Sequence, residues 1–329
     1  MIGKMDEYLI HQTVATLDRV ASDDINWQDR FYFNIHDREG KFVAITGLGA
    51  FPNRRTVEAY LFVVCDGHHY SYFANRSLGN DREDMSAGGL SFSVVEPLSV
   101  WRLQLQDPNN AIKADLEFRV GFQPYEFKPI FWQKGDRVVA HQMHYTQGGA
   151  YSGSFRVGDR EITNLIGLRD RSWGIRSLLE VEMWYWVSAQ FPDYFITAWL
   201  WETTDGKPIS MDGALVRAGG EVRPFVAMEH ELELWPGTKR PKSASYTLTD
   251  AEGKKLSLSA RELSTICVAL GVPLHFEESD QETWKKAQAS SFGFDQFCQF
   301  RCGDDVGYGL IEYMMSGGSQ RYNIPPFSP

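Results

Sequence analysis

The run Gly167-Leu-Arg-Asp-Arg-Ser-Trp-Gly-Ile-Arg176 sets four charged side chains, Arg169, Asp170, Arg171 and Arg176, around one indole, Trp173, between two glycines. A carboxylate among guanidinium groups is held by charge-assisted hydrogen bonds. The pattern reads either as a structural clasp closing a turn or as part of a buried polar site, because such clusters occur at both. Upstream lies His141-Gln-Met-His144-Tyr145. Positions three apart on a strand face opposite sides, so His141 and His144 are not expected to share a metal. One inward histidine, His144, with Tyr145 beside it, is suited to proton transfer near neutral pH.

Downstream, Trp184-Tyr-Trp186 and Trp199-Leu-Trp201 each put two indoles on one strand face. Every buried indole N–H needs a partner. The four therefore suit either a core wall or a cavity for a large apolar ligand, where their π faces would stabilise positive charge. Glu182 shares the face of Trp184 and Trp186 if that strand is regular, and Glu202 follows Trp201. An acid desolvated against indoles is suited to donate a proton. The candidate catalytic residues are thus Asp170, Glu182, Glu202, His144 and Tyr145. The candidate substrate-binding residues are Trp173, Trp184, Trp186, Trp199, Trp201 and Arg176.

The elements that must position these residues are mostly strands. Residues 6–20 have helical spacing, with Leu9, Val14, Leu17 and Val20 available for one face. After them, alternating runs at 30–36, 41–47, 57–65, 69–75, 90–95, 101–105 and 114–120 are separated by turn-forming clusters. The second half repeats the idea, with Tyr194–Glu202 alternating, Thr204–Lys207 turning and Pro208–Val216 returning. An offset of 166 aligns Phe33 with Trp199, Gly40 with Gly206 and Gly47 with Gly213, as two related β domains would. The boundary falls near residue 180, giving domains 1–180 and 181–329. A helix is expected over Ser279–Gln288, and Ser264–Leu270 is either strand or short helix. Short strands in regular succession imply a sandwich or an antiparallel barrel.

Composition sets the outer limits. The chain has 329 residues, of which 14% are aromatic, a content that favours sheets. The net charge of −10 argues against nucleic acid as a partner. Four cysteines without CxxC spacing predict reduced thiols and a cytoplasmic location rather than a disulfide framework. No stretch reaches the roughly 18 apolar residues of a membrane helix, and the N-terminus shows no signal-peptide pattern. Phosphate-loop, dinucleotide, zinc-peptidase and serine-elbow motifs are all missing.

His144, the Gly148/Gly153 turn, Gly167 and above all Arg169-Asp170-Arg171-Ser172-Trp173-Gly174-Ile-Arg176 resemble the carotenoid 1,2-hydratase (hydroxyneurosporene synthase) and AttH-like superfamily. Gly47–Asn53 and Asp205–Gly213 carry the resemblance more weakly. It implies a mainly β fold of two consecutive lipocalin-like antiparallel β-barrels with a few short helices. It also implies a large apolar substrate, no organic cofactor, and acid-driven or shape-driven chemistry of a lyase, hydratase or isomerase type. Asp170 and Trp173 carry over onto the motif. Where the hydratases show His and Asn between them, this chain has Arg171 and Ser172, the pattern of a bacterial subgroup. The resulting expectation is a cofactor-independent enzyme acting on a terpenoid, steroid or aromatic metabolite. The alternative is a lipocalin-like carrier of hydrophobic small molecules, and either could be a homo-oligomer.

Overall fold

The computed structural model describes residues 2–11, 15–108, 110–269 and 271–328. Two compact units emerge. The first comprises Met1–Arg38, Ala44–Phe62 and Ser71–Ser177, and the second Glu39–Val43, Val63–Tyr70 and Leu178–Pro329. Both are antiparallel sheets with few short helices.

In the first unit the motif strand Ile166–Arg176 lies between Trp27–His36 and Arg137–Val157. Outward from Trp27–His36 follow Phe42–Phe51, Thr56–Cys65 and His68–Ser77. Outward from Arg137–Val157 follow Ile112–Val120, Val100–Leu105, Leu90–Glu96 and the two-residue Ser86–Ala87. One face of this sheet carries the aromatic core of Phe31, Phe33, Phe92, Trp101 and Phe118.

The sheet is open, which corrects the expectation of two closed barrels. Side chains occupy the seam where a ladder would close it. The Arg76 guanidinium donates to the carbonyls of Ser86 (2.7 Å) and Asp84 (2.7 Å), and the Gly89 N–H donates to the Tyr72 hydroxyl (2.8 Å). Backbone groups satisfied in this way need no neighbouring strand.

The second unit is a closed eight-stranded barrel running from Met183–Gln190 to Asp305–Met314, which pair with each other. Its interior takes Met183, Tyr185, Val187 and Ala189 from one strand and Ile196, Ala198 and Leu200 from the next. The expected late helix forms at Gln281–Ser290. Asp280 caps it, accepting from the Thr283 N–H at 3.2 Å, and Trp284 and Ala287 are buried. The undecided segment from Ser264 is strand as far as Ala269, and Leu270 lies outside the described residues.

Among the described residues, the helix expected over 6–20 does not form: they hold a 3-10 turn, Lys4–Glu7, and Val14 lies outside them. The carbonyls a helix would use are taken by arginines from elsewhere in the unit. Arg82 donates to Leu9 and Ala15, and Arg171 donates to Asp6 and Tyr8.

Candidate functional site

Strand alternation divides the charged motif. Asp170, Ser172 and Arg176 face one side of the sheet, and Arg169, Arg171 and Trp173 face the other. Asp170 is therefore not clasped by its sequence neighbours. Its partner comes from the adjacent strand: Ser172 stands opposite both His144 and Arg30, and the His144 Nε2 lies 2.9 Å from Asp170 Oδ2. Both side chains are buried, and Phe127 stacks on the imidazole with ring centroids 4.6 Å apart. Burial holds the His144 pKa below the ordinary histidine value. Asp170 works against this, and the charges of Arg176 and Arg30 add to it. The imidazole is neutral at pH 7. The tautomer protonated at Nε2, the ring atom nearest the carboxylate, keeps its basic lone pair on Nδ1.

Gly174 keeps this strand pair close. Its φ is +118°, and a Cβ there would stand 2.1 Å from the His141 carbonyl oxygen. His141 itself is exposed, whereas His144 is buried.

The opposite face carries a second charged group. Arg171 pairs with Asp29 at 2.8 Å, and His11 stacks on Trp173 with centroids 3.5 Å apart. Arg169 pairs with Glu7, which also accepts from the Tyr145 hydroxyl at 2.7 Å. Burial pushes the Tyr145 phenol well above its usual range, so it stays protonated and donates. Glu7, His11 and Asp29 were not singled out in the sequence, because nothing local distinguishes a buried acid from a solvated one.

The remaining candidates lie in the second unit. Glu182 precedes its strand and accepts from the Thr204 N–H (2.7 Å) and hydroxyl (3.2 Å), which ties down a turn. Glu202 meets His230 Nε2 at 3.1 Å, and His230 Nδ1 lies 2.9 Å from the Tyr322 hydroxyl. Trp184, Trp186, Trp199 and Trp201 are all buried, on the face of their strands opposite the barrel interior. Trp184 and Trp201 stack at 5.0 Å. The Trp184 N–H donates to Glu312 (2.9 Å), and that of Trp186 donates to Thr197 (3.2 Å). The structure thus unites His144 with Asp170 and places Arg176 on their face, while Tyr145 and Trp173 lie on the other. Among the described residues no group of three or more His, Cys, Asp or Glu is placed to hold a metal ion, and no helix is long and apolar enough to cross a membrane.

The fold recurs in solved structures. A protein designated AttH from Nitrosomonas europaea superposes with a TM-score of 0.61 at 15% identity, covering 89% of this chain and 94% of that one. Kievitone hydratase from Nectria haematococca gives 0.57 at 14% identity, covering 93% and 94%. CghA crystallised with Sch210972 gives 0.55 at 15% identity, covering 89% of each chain. The AttH-like resemblance of the motif therefore holds for the fold. No curated protein matches the sequence. A family model described as a family of unknown function (DUF8625) matches residues 2–266, and the chain belongs to that family.

Proposed function

We propose that this chain is an acid–base enzyme that transfers a proton on a hydrophobic small molecule without an organic cofactor, with His144 as the proton carrier and Asp170 as its orienting partner. The observation that carries the reading is the buried His144–Asp170 pair at 2.9 Å, with the imidazole kept neutral by burial. In that state Nδ1 accepts a proton from water or from an acidified C–H. The carboxylate stabilises the imidazolium that results, which then returns the proton to the product. Arg30 and Arg176 bear on His144 as cations and would stabilise negative charge developing on a substrate oxygen. The same cycle serves hydration or dehydration, isomerisation and cyclisation. One structural neighbour is named as a hydratase of kievitone, and another was crystallised with Sch210972. Both names fit small-molecule chemistry on this fold.

The test is incubation with terpenoids, steroids and aromatic acids in deuterated water, followed by intact-mass detection. Gain of a water mass or of solvent deuterium, lost in His144→Gln, is the expected result. Ligands that quench tryptophan fluorescence yet emerge unchanged would replace the enzyme reading with that of a carrier.

A further inference from the structure

On the sheet face away from His144 and Asp170, three strands aim donors at one point. The Trp101 N–H, the Tyr145 hydroxyl and Arg169 Nη2 all donate to the Glu7 carboxylate. Every one of these four side chains is fully buried. Among the described residues, Arg169 Nε and Nη1 have no hydrogen-bond acceptor. The guanidinium carbon lies 5.6 Å from the Trp101 ring centroid and 5.3 Å from that of Tyr145. Around Arg169 the described residues of the sheet therefore supply a cation, donors and the neutral amide oxygen of Gln147, which also accepts from Nη2, but no anion. Arg171, by contrast, has its counter-ion, Asp29, on the adjoining strand. Among the described residues, the carboxylate paired with Arg169 is Glu7, which arrives on the Lys4–Glu7 turn from outside the sheet.

That turn is attached by side chains. Arg171 donates to the carbonyls of Asp6 (3.0 Å) and Tyr8 (2.5 Å), Tyr145 to that of Asp6 (3.1 Å), and Arg82 to that of Leu9 (2.6 Å). No residue from 4 to 11 belongs to a strand. A segment held this way can leave without opening a ladder.

We propose that Arg169, Trp101 and Tyr145 form a binding site for a small aromatic carboxylic acid, and that Glu7 is its internal occupant. A planar guanidinium with donors on either side matches a carboxylate. Phe31 and Phe33, at 5.1 and 5.5 Å from the Trp101 ring, supply the aromatic wall. This inference stands apart from the His144–Asp170 reading, since the two groups occupy opposite faces and each can fail alone.

The test uses the full chain with benzoate as probe and benzamide as its neutral control. The N–H groups of Asp6, Tyr8 and Ile10 donate to the carbonyls of Gly3, Met5 and Tyr8, so their exchange with solvent deuterium reports the release of this segment. Saturating benzoate is expected to speed their exchange about threefold or more while leaving the Trp27–His36 amides unchanged, and benzamide to do nothing. Glu7→Gln neutralises the competing carboxylate at nearly constant volume, and should bind benzoate about tenfold more tightly than the wild type. The proposal is overturned if neither protein binds benzoate, if bound benzoate leaves the turn's exchange unchanged or slower, or if Glu7→Gln gains no affinity. Should that variant fail to fold, the wild-type exchange result decides alone.

Discussion

Acid should loosen the first unit before Asp29 titrates, and His36 is the group that shows why. It ends the Trp27–His36 strand with 1% of its surface exposed, and its Nδ1–H donates to the Asp37 carbonyl at 2.9 Å. Burial lowers its pKa from 6.5 to about 4, against the favourable backbone hydrogen bond and with a further push from Arg38. The native state thus holds the ring neutral, whereas the unfolded chain takes up a proton near pH 6.5. The stability His36 contributes is complete above 6.5 and is lost as the pH falls from 6.5 to 4. The loss runs at roughly 1.4 kcal/mol per pH unit, or about 2 kcal/mol between pH 7 and pH 5. Asp29 titrates in a lower window. Burial raises its pKa, but the Arg171 charge and the His11 contacts outweigh this and hold it below 3.8. The perturbation is His36→Asn, whose amide nitrogen stands in for Nδ1 as a donor. The assay is amide hydrogen exchange of that strand at pH 7 and pH 5, corrected for intrinsic rates and read as opening free energy. The wild type should lose about 2 kcal/mol more than the variant over this interval. Equal losses, within about 0.5 kcal/mol, would refute the account.

Three further outcomes follow from the same geometry. Asp170→Asn keeps volume but removes the group that orients His144, so turnover should fall about 100- to 10,000-fold with little change in unfolding midpoint; solvent-deuterium incorporation under single-turnover conditions measures it. Glu202→Leu strands the buried Nε2 of His230 and should destabilise the barrel by about 1–3 kcal/mol in urea titrations, whereas Glu202→Gln, which keeps an acceptor, should recover most of that. Gly174→Ala sets a side chain against the His141 carbonyl at a positive φ. It should lower stability by about 3 kcal/mol in the same titration, and unchanged stability would show that the two strands can part there without penalty.

The strands were legible because their signal is local. Tyr194–Glu202 alternates between turn residues, and it forms a strand with those bounds. The late helix was legible for a similar reason, since Asp280, at the start of the expected Ser279–Gln288 segment, caps it. Residues 6–20 misled because helical spacing tests only the apolar face. Leu9 and Leu17 are indeed buried, yet Arg82 and Arg171, distant in sequence, take the carbonyls of Leu9, Ala15 and Tyr8 that a helix would use. The open first sheet was hidden likewise: Arg76 and Tyr72 seal its seam, and nothing in their local sequence marks them as substitutes for a strand.

Register makes the candidate site. The pairing from Ala140↔Arg176 to Ala150↔Ile166 runs without a bulge and sets Ser172 between His144 and Arg30. From there His144 reaches diagonally to Asp170. A slip of one residue would set Tyr145 opposite Ser172 and turn the histidine to the other face. A slip of two would keep the faces but bring Gln142 or Thr146 into the place of His144, and no imidazole would meet the carboxylate. Alternation, which a sequence displays, therefore decides that Asp170 parts from Arg169 and Arg171. Which residue waits across the strand is decided by the long-range register. Gly174 is where the two levels join: the only residue type that tolerates its φ and its closeness to His141 also stands two positions from Ser172, holding the strands at the distance the His144–Asp170 contact requires.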